Sequence, residues 1–112
     1  MEKENNFMPP SVGTTLKIAV TADIGNDKHL SDVDVDFECT FHVEGMLSKK
    51  QTYAKSEMIY LDDDTYLAVV DSSKIGVGKY YCLLSVMIPD EDAPENIRCE
   101  KVRFPTYINV IK

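Results

Sequence analysis

Apolar and polar residues alternate along much of the chain with a period of two, as they do in a half-buried β-strand. The clearest case is VDVDFECTFHV, residues 33–43. One predicted face carries Val33, Val35, Phe37, Cys39, Phe41 and Val43, and the other carries Asp34, Asp36, Glu38, Thr40 and His42. Similar alternation in TLKIAVT, TYLAVVD and KYYCLLSVMI predicts three more strands.

Further strand candidates lie at 51–54, 57–61, 97–103 and 106–111, the last two separated by Pro105, which cannot donate to a strand ladder. Turn-rich segments separate the candidates, and SSKIG is compatible with one short helical turn. No segment shows a helical period over about eleven or more residues. The pattern predicts an all-β fold of seven to eight strands, either a sandwich or a small barrel. Together with the stretch GKYYC, it favours an immunoglobulin-like antiparallel β-sandwich of seven to eight strands.

The stretch GKYYC resembles the start of a core strand in an immunoglobulin domain, with Gly78, Tyr80 and Cys82 at the expected spacing. Tyr80 is predicted to hydrogen-bond back to its preceding loop as a tyrosine corner. The chain has no tryptophan, and Gly76 stands where the immunoglobulin pattern has aspartate. We therefore expect Cys39 and Cys82 to face each other across two sheets as thiols, although a disulfide between them stays open.

The strand that contains GKYYC has apolar residues on its outward face as well: Tyr81, Leu83 and Met87. A solvated face would be polar, so this face is either covered by the chain itself or meets a partner. We expect residues 1–13 to form a flexible N-terminal arm and residues 14–112 to form the sandwich. The predicted interface residues are Phe7, Met8, Tyr81, Leu83 and Met87.

The composition fits one acidic domain of 112 residues with a net charge of −7. Nucleic acid and anionic membranes both require a basic surface, so we expect neither as a partner. The first residues, MEKENNFMPPSVG, lack the apolar core of a signal peptide, and the odd number of cysteines argues against a disulfide framework. The expected location is the cytosolic side, with a signal removed earlier as the open alternative.

Few residues point to chemistry. His29 falls in a predicted loop and His42 on a polar strand face, and both are expected to be solvated. The acidic clusters Asp62-Asp63-Asp64 and Asp90-Glu91-Asp92 with Glu95 are expected to stabilise turns, with a calcium site as the alternative. No nucleophile elbow, phosphate loop or cofactor motif is present, so we expect no enzyme activity, no catalytic or metal residues and no cofactor.

Three segments carry a family resemblance: VDFECTF, DDDTYLAVVDSSKIGVGK and IPDEDAPENIRCEKV. They are similar to small immunoglobulin-like domains in phage and prophage structural modules of gut Bacteroidales. The resemblance implies a non-enzymatic structural or adaptor protein of a phage particle, made in the host cytoplasm and located in the virion. It also implies other virion proteins as partners, in a homo-oligomer or a hetero-assembly.

The alternative hypothesis is a ligand-binding module that recognises carbohydrate or a host surface protein. Six tyrosines and several acidic loops fit polar and aromatic recognition. Tyr53, Tyr60 and Tyr66 are the predicted contact residues, although tyrosine is also common in strand interiors.

Overall fold

The computed structural model describes residues 9–112, apart from the side chains of residues 46–48, and within them the chain forms seven strands. The strands are β1 (Thr15–Thr21), β2 (Asp36–Val43), β3 (Met46–Ala54), β4 (Ile59–Asp62), β5 (Thr65–Asp71), β6 (Gly78–Pro89) and β7 (Ile97–Val110). Single 3-10 turns lie at Lys55–Glu57, Ser72–Lys74 and Pro94–Asn96. The second of these is the short helical turn predicted in SSKIG.

The strands form two antiparallel sheets, with strand orders β1-β5-β4 and β3-β2-β6-β7. In immunoglobulin lettering these orders correspond to B-E-D and C′-C-F-G, with GKYYC at the start of strand F. The predicted all-β, immunoglobulin-like sandwich is therefore confirmed, with seven strands.

The core lies between the two sheets and is built from alternate residues of each strand. β1 contributes Leu16, Ile18 and Val20, β2 contributes Phe37, Cys39, Phe41 and Val43, β5 contributes Tyr66, Ala68 and Val70, and β6 contributes Tyr80, Cys82, Leu84, Val86 and Ile88. The rings of Phe37 and Tyr66 meet edge to face at 4.9 Å and link β2 to β5. Burial of an aromatic side chain of this kind stabilises the fold by about 1.5–3 kcal/mol.

The start of β6 has the predicted tyrosine corner. The Tyr80 hydroxyl donates to the carbonyl oxygen of Gly76 at 2.6 Å and lies 3.2 Å from that of Ser72. Gly78 has a φ of +137°, and a Cβ there would lie 2.6 Å from Cγ1 of Val43. Glycine is required at this position because both the backbone angle and the close approach of Val43 exclude a side chain.

The two buried cysteines lie in one sheet, so the expectation that they face each other across two sheets is wrong. Cys39 is opposite Leu84 and Cys82 is opposite Phe41 on the neighbouring strands β2 and β6. β1 occupies the place of strand B, which puts Cys39 on strand C. Both cysteines are free thiols, and so is the exposed Cys99.

Two local predictions differ from the structure at the ends of the alternating segments. Val33 is fully exposed because β2 begins only at Asp36, after a turn in which Val35 N–H donates to the Asp32 carbonyl at 3.0 Å. Pro105 does not end its strand, because β7 is an edge strand that needs no donor at that position and continues to Val110.

The start of the described chain is tied to the domain. Ile111 N–H donates to the Pro10 carbonyl at 2.9 Å, and the Ile111 carbonyl accepts from Val12 N–H at 2.6 Å. Gly13 N–H donates to the Ser72 hydroxyl at 2.8 Å. Part of the segment predicted as an arm, from Pro10 to Gly13, therefore packs beside the end of β7. Phe7 and Met8 lie outside the described residues, and their interface role stays a prediction.

Candidate interaction surfaces

The predicted outward stripe on β6 is half-buried by its own sheet. β6 lies between β2 and β7, so each of its outward residues has a neighbour on both sides. Leu83 is opposite Thr40 on one strand and Arg103 on the other. Tyr81 and Met87 are likewise only partly exposed. The chain itself therefore covers much of this stripe, and its role in an interface stays a prediction.

A more exposed apolar surface lies on the other sheet. We call it the β4–β5 patch and define it as Ile59, Leu61, Leu67 and Val69. Ile59 and Leu61 are each 50% exposed and Val69 is 42% exposed. Ile59 lies directly opposite Leu67, which brings the two strands' apolar side chains together on the outer face. Outward positions of a solvated strand are normally polar, so this patch has the composition of a contact surface.

The patch was not identified from the sequence, because the segment EMIYLDDD does not alternate. Ile59, Tyr60 and Leu61 are three consecutive apolar residues, and a bulge at Leu61 shifts the pairing of β4 with β5. Because the bulge breaks the period of two, the pattern could not show which residues face outward.

A second surface feature is a cleft at a bulge between β6 and β7. Lys79 pairs with Asn109 and Tyr81 with Pro105, so three residues of β7 lie opposite the single residue Tyr80. Beside this bulge is a cavity of about 350 Å³. It is lined by Lys79, Tyr80, Tyr81, Pro105, Tyr107, Ile108 and Asn109. We call this cavity the bulge cleft.

Tyr107 is the most unusual residue of the bulge cleft. Its φ is +64°, in the left-handed region, and its side chain is 92% exposed. A tyrosine in this conformation costs on the order of 1 kcal/mol relative to ordinary backbone. Thr106 holds the bulge by donating from Oγ1 to the Tyr80 carbonyl at 2.8 Å and accepting from Ile108 N–H at 3.2 Å. The bulge therefore presents an aromatic ring to solvent.

His42 is buried, so the prediction of a solvated histidine is wrong at this position. Its ring stacks on that of Tyr81, with centroids 6.2 Å apart and an interplanar angle of 19°. Nδ1 lies 3.0 Å from the Val43 carbonyl, which can only accept, so Nδ1 carries the proton. Nε2 has no hydrogen-bond partner among the described atoms. The prediction was wrong because β2 is a central strand, so side chains of the neighbouring strands cover residues on its polar face as well.

The first acidic loop uses its carboxylates to hold turns. Asp62 accepts from the Asp64 N–H at 2.9 Å, and Asp63 accepts from the hydroxyls of Ser31 and Tyr60. The hydrogen bond from Ser31, which has the larger effect, and the hydrogen bond from Tyr60 both lower the pKa of Asp63 below its ordinary value. The arrangement matches the expected turn chemistry.

The second acidic loop is organised in the same way. Asp90 accepts from the Asp92 N–H at 2.9 Å and from Arg98 at 3.0 Å. The hydrogen bond from the Asp92 backbone, and after it the hydrogen bond from Arg98, lowers the pKa of Asp90. Within residues 9–112, no group of three or more His, Cys, Asp or Glu side chains is placed to hold a metal ion.

The tyrosines predicted to bind a ligand are mostly structural. Tyr66 is buried, and Tyr53 is half-buried with its ring edge to face with Phe41 at 5.9 Å. Tyr60 is 55% exposed and donates to Asp63. The exposed tyrosine at a cleft is instead Tyr107. The sequence feature that could have indicated the bulge at Tyr107 was Pro105, since proline within a strand favours an edge or a bulge.

Comparison with known proteins adds no relative to this picture. No protein-family model matches the chain, and no match was found among curated proteins or solved structures. In the part of the chain that the structure describes, no helix is long and apolar enough to cross a membrane.

Proposed function

We propose that this chain is a non-enzymatic structural or adaptor domain of a phage particle that acts through protein–protein contacts. The observation that carries the proposal is the β4–β5 patch, where apolar side chains are about half exposed on an outward sheet face. Burial of such side chains against a partner is the main favourable term in association. The assignment to a phage particle is supported by the resemblance of the three sequence segments.

The rest of the domain fits a contact role. The sandwich has a continuous buried core, and its loops are held by side-chain hydrogen bonds such as those of Asp63 and Asp90. A rigid scaffold of this kind presents a surface without a large ordering cost on binding.

The test is to purify particles from the organism that encodes the chain and to quantify this protein in them by mass spectrometry. The proposal predicts a fixed copy number relative to the major particle protein. Ile59→Glu together with Val69→Glu should prevent incorporation, because it places carboxylates in the contact. Val33→Glu is the matched control, since Val33 is fully exposed and lies outside the patch. Absence of the wild-type chain from the particles would contradict the assignment.

A second candidate function is a ligand-binding module for carbohydrate or a host surface protein, and the bulge cleft favours it. Pockets of about 300–1,000 Å³ with aromatic walls and a few polar groups are typical of ligand sites. Here Tyr81 and Tyr107 supply the aromatic walls, and Lys79 and Asn109 supply polar groups. A glycan array that compares the wild type with Tyr107→Ala tests this candidate. Binding that is unaffected by the substitution would exclude the cleft.

A further inference from the structure

β7 is the long edge strand of the four-stranded sheet. It has 14 residues, and within the described chain β6 is its only partner strand, with one parallel bridge from Ser11 to Ile111 at its far end. The segment Ile97–Phe104 pairs with β6 without a shift in register. Its other edge therefore offers a straight row of backbone donors and acceptors to a further strand.

The same segment is exposed on both faces of the sheet. Ile97, on the outer face, is 52% exposed, and Val102, on the core-facing side, is 53% exposed. The three-stranded sheet thus leaves this part of β7 uncovered. Addition of a strand beside β7 would cover part of the exposed apolar surface of this segment and satisfy the free backbone groups.

Comparison with β4 shows that part of β7 lacks two common kinds of edge protection, a proline and a bulge, and is protected there by charged side chains alone. β4 has four residues, carries a bulge at Leu61 and is followed by aspartates, all of which discourage strand addition. Over Ile97–Phe104, β7 has no proline and no bulge, and its charges are of both signs. Of these two edges, β7 is the longer and the better suited to pair with another strand.

We infer that β7 pairs antiparallel with β7 of a second copy of this chain, about a twofold axis that passes next to Cys99. This inference rests on the proposed function, since it names one partner for a contact protein. A twofold axis that relates antiparallel neighbours is perpendicular to the sheet, so each residue faces a residue from the same side of the sheet. Cys99 then faces Cys99 of the partner subunit, and Arg98 faces Glu100 of the partner subunit.

The charges select this register. Within one chain, Arg98 already pairs with Glu100 at 2.7 Å and with Asp90 at 3.0 Å. With the axis at Cys99, Arg98 also comes opposite the partner's Glu100, so two opposite-charge pairs form across the axis. With the axis at Glu100 or Lys101, the residue at the axis meets its own copy and like charges are opposed. With the axis at Val102, Lys101 faces the partner's Arg103. Opposite-charge pairs across strands stabilise a sheet and like-charge pairs destabilise it.

The charge of the strand also suits contact between two acidic molecules. The chain has a net charge of −7, whereas Ile97–Arg103 contains three basic residues and one acidic residue. Two copies therefore approach through β7 with less long-range repulsion than through their acidic surfaces. The two four-stranded sheets would join into one sheet of eight strands.

The experiment measures the dimerisation constant by sedimentation equilibrium for the wild type, R98E, E100R and an equimolar mixture of the two variants. A homodimer of either variant has like charges at both positions where residue 98 faces the partner's residue 100. We expect the dissociation constant of each homodimer to rise by about tenfold. The mixture should recover the wild-type constant as a heterodimer, because both pairs across the axis are again of opposite charge, while the like charges within each variant chain are present in monomer and dimer alike. K101E is the control: its residue faces the partner's Ile97, so we expect a change within about twofold.

A short bis-maleimide reports the register directly. It should join two wild-type copies through Cys99 and fail with Cys99→Ser, and circular dichroism should show that all variants remain folded. A wild type that is monomeric at high concentration would overturn the inference, as would a mixture that stays monomeric. A dimer broken instead by Ile59→Glu with Val69→Glu would also overturn it, while leaving the proposed contact function intact.

Discussion

Cys39 and Cys82 lie on neighbouring strands of one sheet, two positions apart in the register, with the pair Thr40–Leu83 between them. Both are buried, and the hydrogen bond with Cys39, together with burial, raises the pKa of the Cys82 thiol far above its usual value. A thiol in this state is a poor nucleophile because the thiolate is the reactive form.

We therefore predict that iodoacetamide modifies only Cys99 in the folded protein in dilute solution, because Cys99 is the exposed thiol of the three. In urea all three cysteines should react. Intact mass spectrometry gives the number of adducts. A mass two hydrogens lower before reduction would show a disulfide and contradict the prediction.

The tyrosine corner should contribute measurably to stability. Tyr80→Phe removes the hydroxyl that donates to Gly76 and lies close to the Ser72 carbonyl. Loss of a partner for buried carbonyl groups typically costs ~1–2 kcal/mol. Urea unfolding measures the free energy. The control is Tyr81→Phe, expected to change it by less than ~0.5 kcal/mol because Tyr81 is half-buried on the outer face and takes no part in the tyrosine corner. Equal effects would contradict the assignment.

Gly78 should be the least replaceable of the glycines. Gly78→Ala combines a φ of +137° with a contact of 2.6 Å to Val43, and we predict a loss of more than ~2 kcal/mol. Gly25→Ala, where φ is +72° and no atom lies within 4 Å, should cost only about 1 kcal/mol.

A double substitution separates steric from backbone strain at Gly78. Adding Val43→Ala to Gly78→Ala removes the clashing methyl group, so the two substitutions should cost less than the sum of the single ones. Strict additivity would show that the close contact with Val43 does not limit this position.

The ion pair of His29 with Asp64 should make stability depend on pH. Nδ1 of His29 lies 3.0 Å from the Asp64 carboxylate, and this hydrogen bond raises the pKa of His29 above its ordinary 6.5. Because the folded-state pKa is raised, protonation of His29 stabilises the folded protein, and this stabilisation is fully present below pH 6.5. The contribution is lost as the pH rises through the folded-state pKa.

NMR titration of His29 measures this pKa directly. Asp64→Asn should return it toward the ordinary value, while Asp71→Asn, which removes a carboxylate bonded to Ser73 instead, should leave it unchanged. A His29 pKa that does not respond to Asp64→Asn would contradict the pairing.

The sequence was most informative where one strand face is buried and the other solvated. In β2 the alternation correctly predicted Phe37, Cys39 and Phe41 as core residues. It was less informative at the ends, because a period of two continues into turns without a break. Val33 shows this, since it continues the pattern and yet lies before the strand begins.

The partition of strands between sheets could not be predicted from local patterns. It depends on pairings between distant residues, such as Cys82 with Phe41 and Leu16 with Val70. The same limit explains His42, whose burial depends on Tyr81 from a strand far along the chain. The β4–β5 patch and the bulge cleft were not predicted, because bulges interrupt the period of two from which the exposed and buried faces of a strand are predicted.

The proposed function makes the β4–β5 patch a contact surface in an assembly. Hydroxyl-radical footprinting of the free chain and of the chain in particles isolated from the source organism measures whether the patch is covered there. We predict that oxidation of Ile59, Leu61 and Val69 falls several-fold in the particle while that of Val33 stays constant. Oxidation of the patch at the same rate in both samples would contradict the claim.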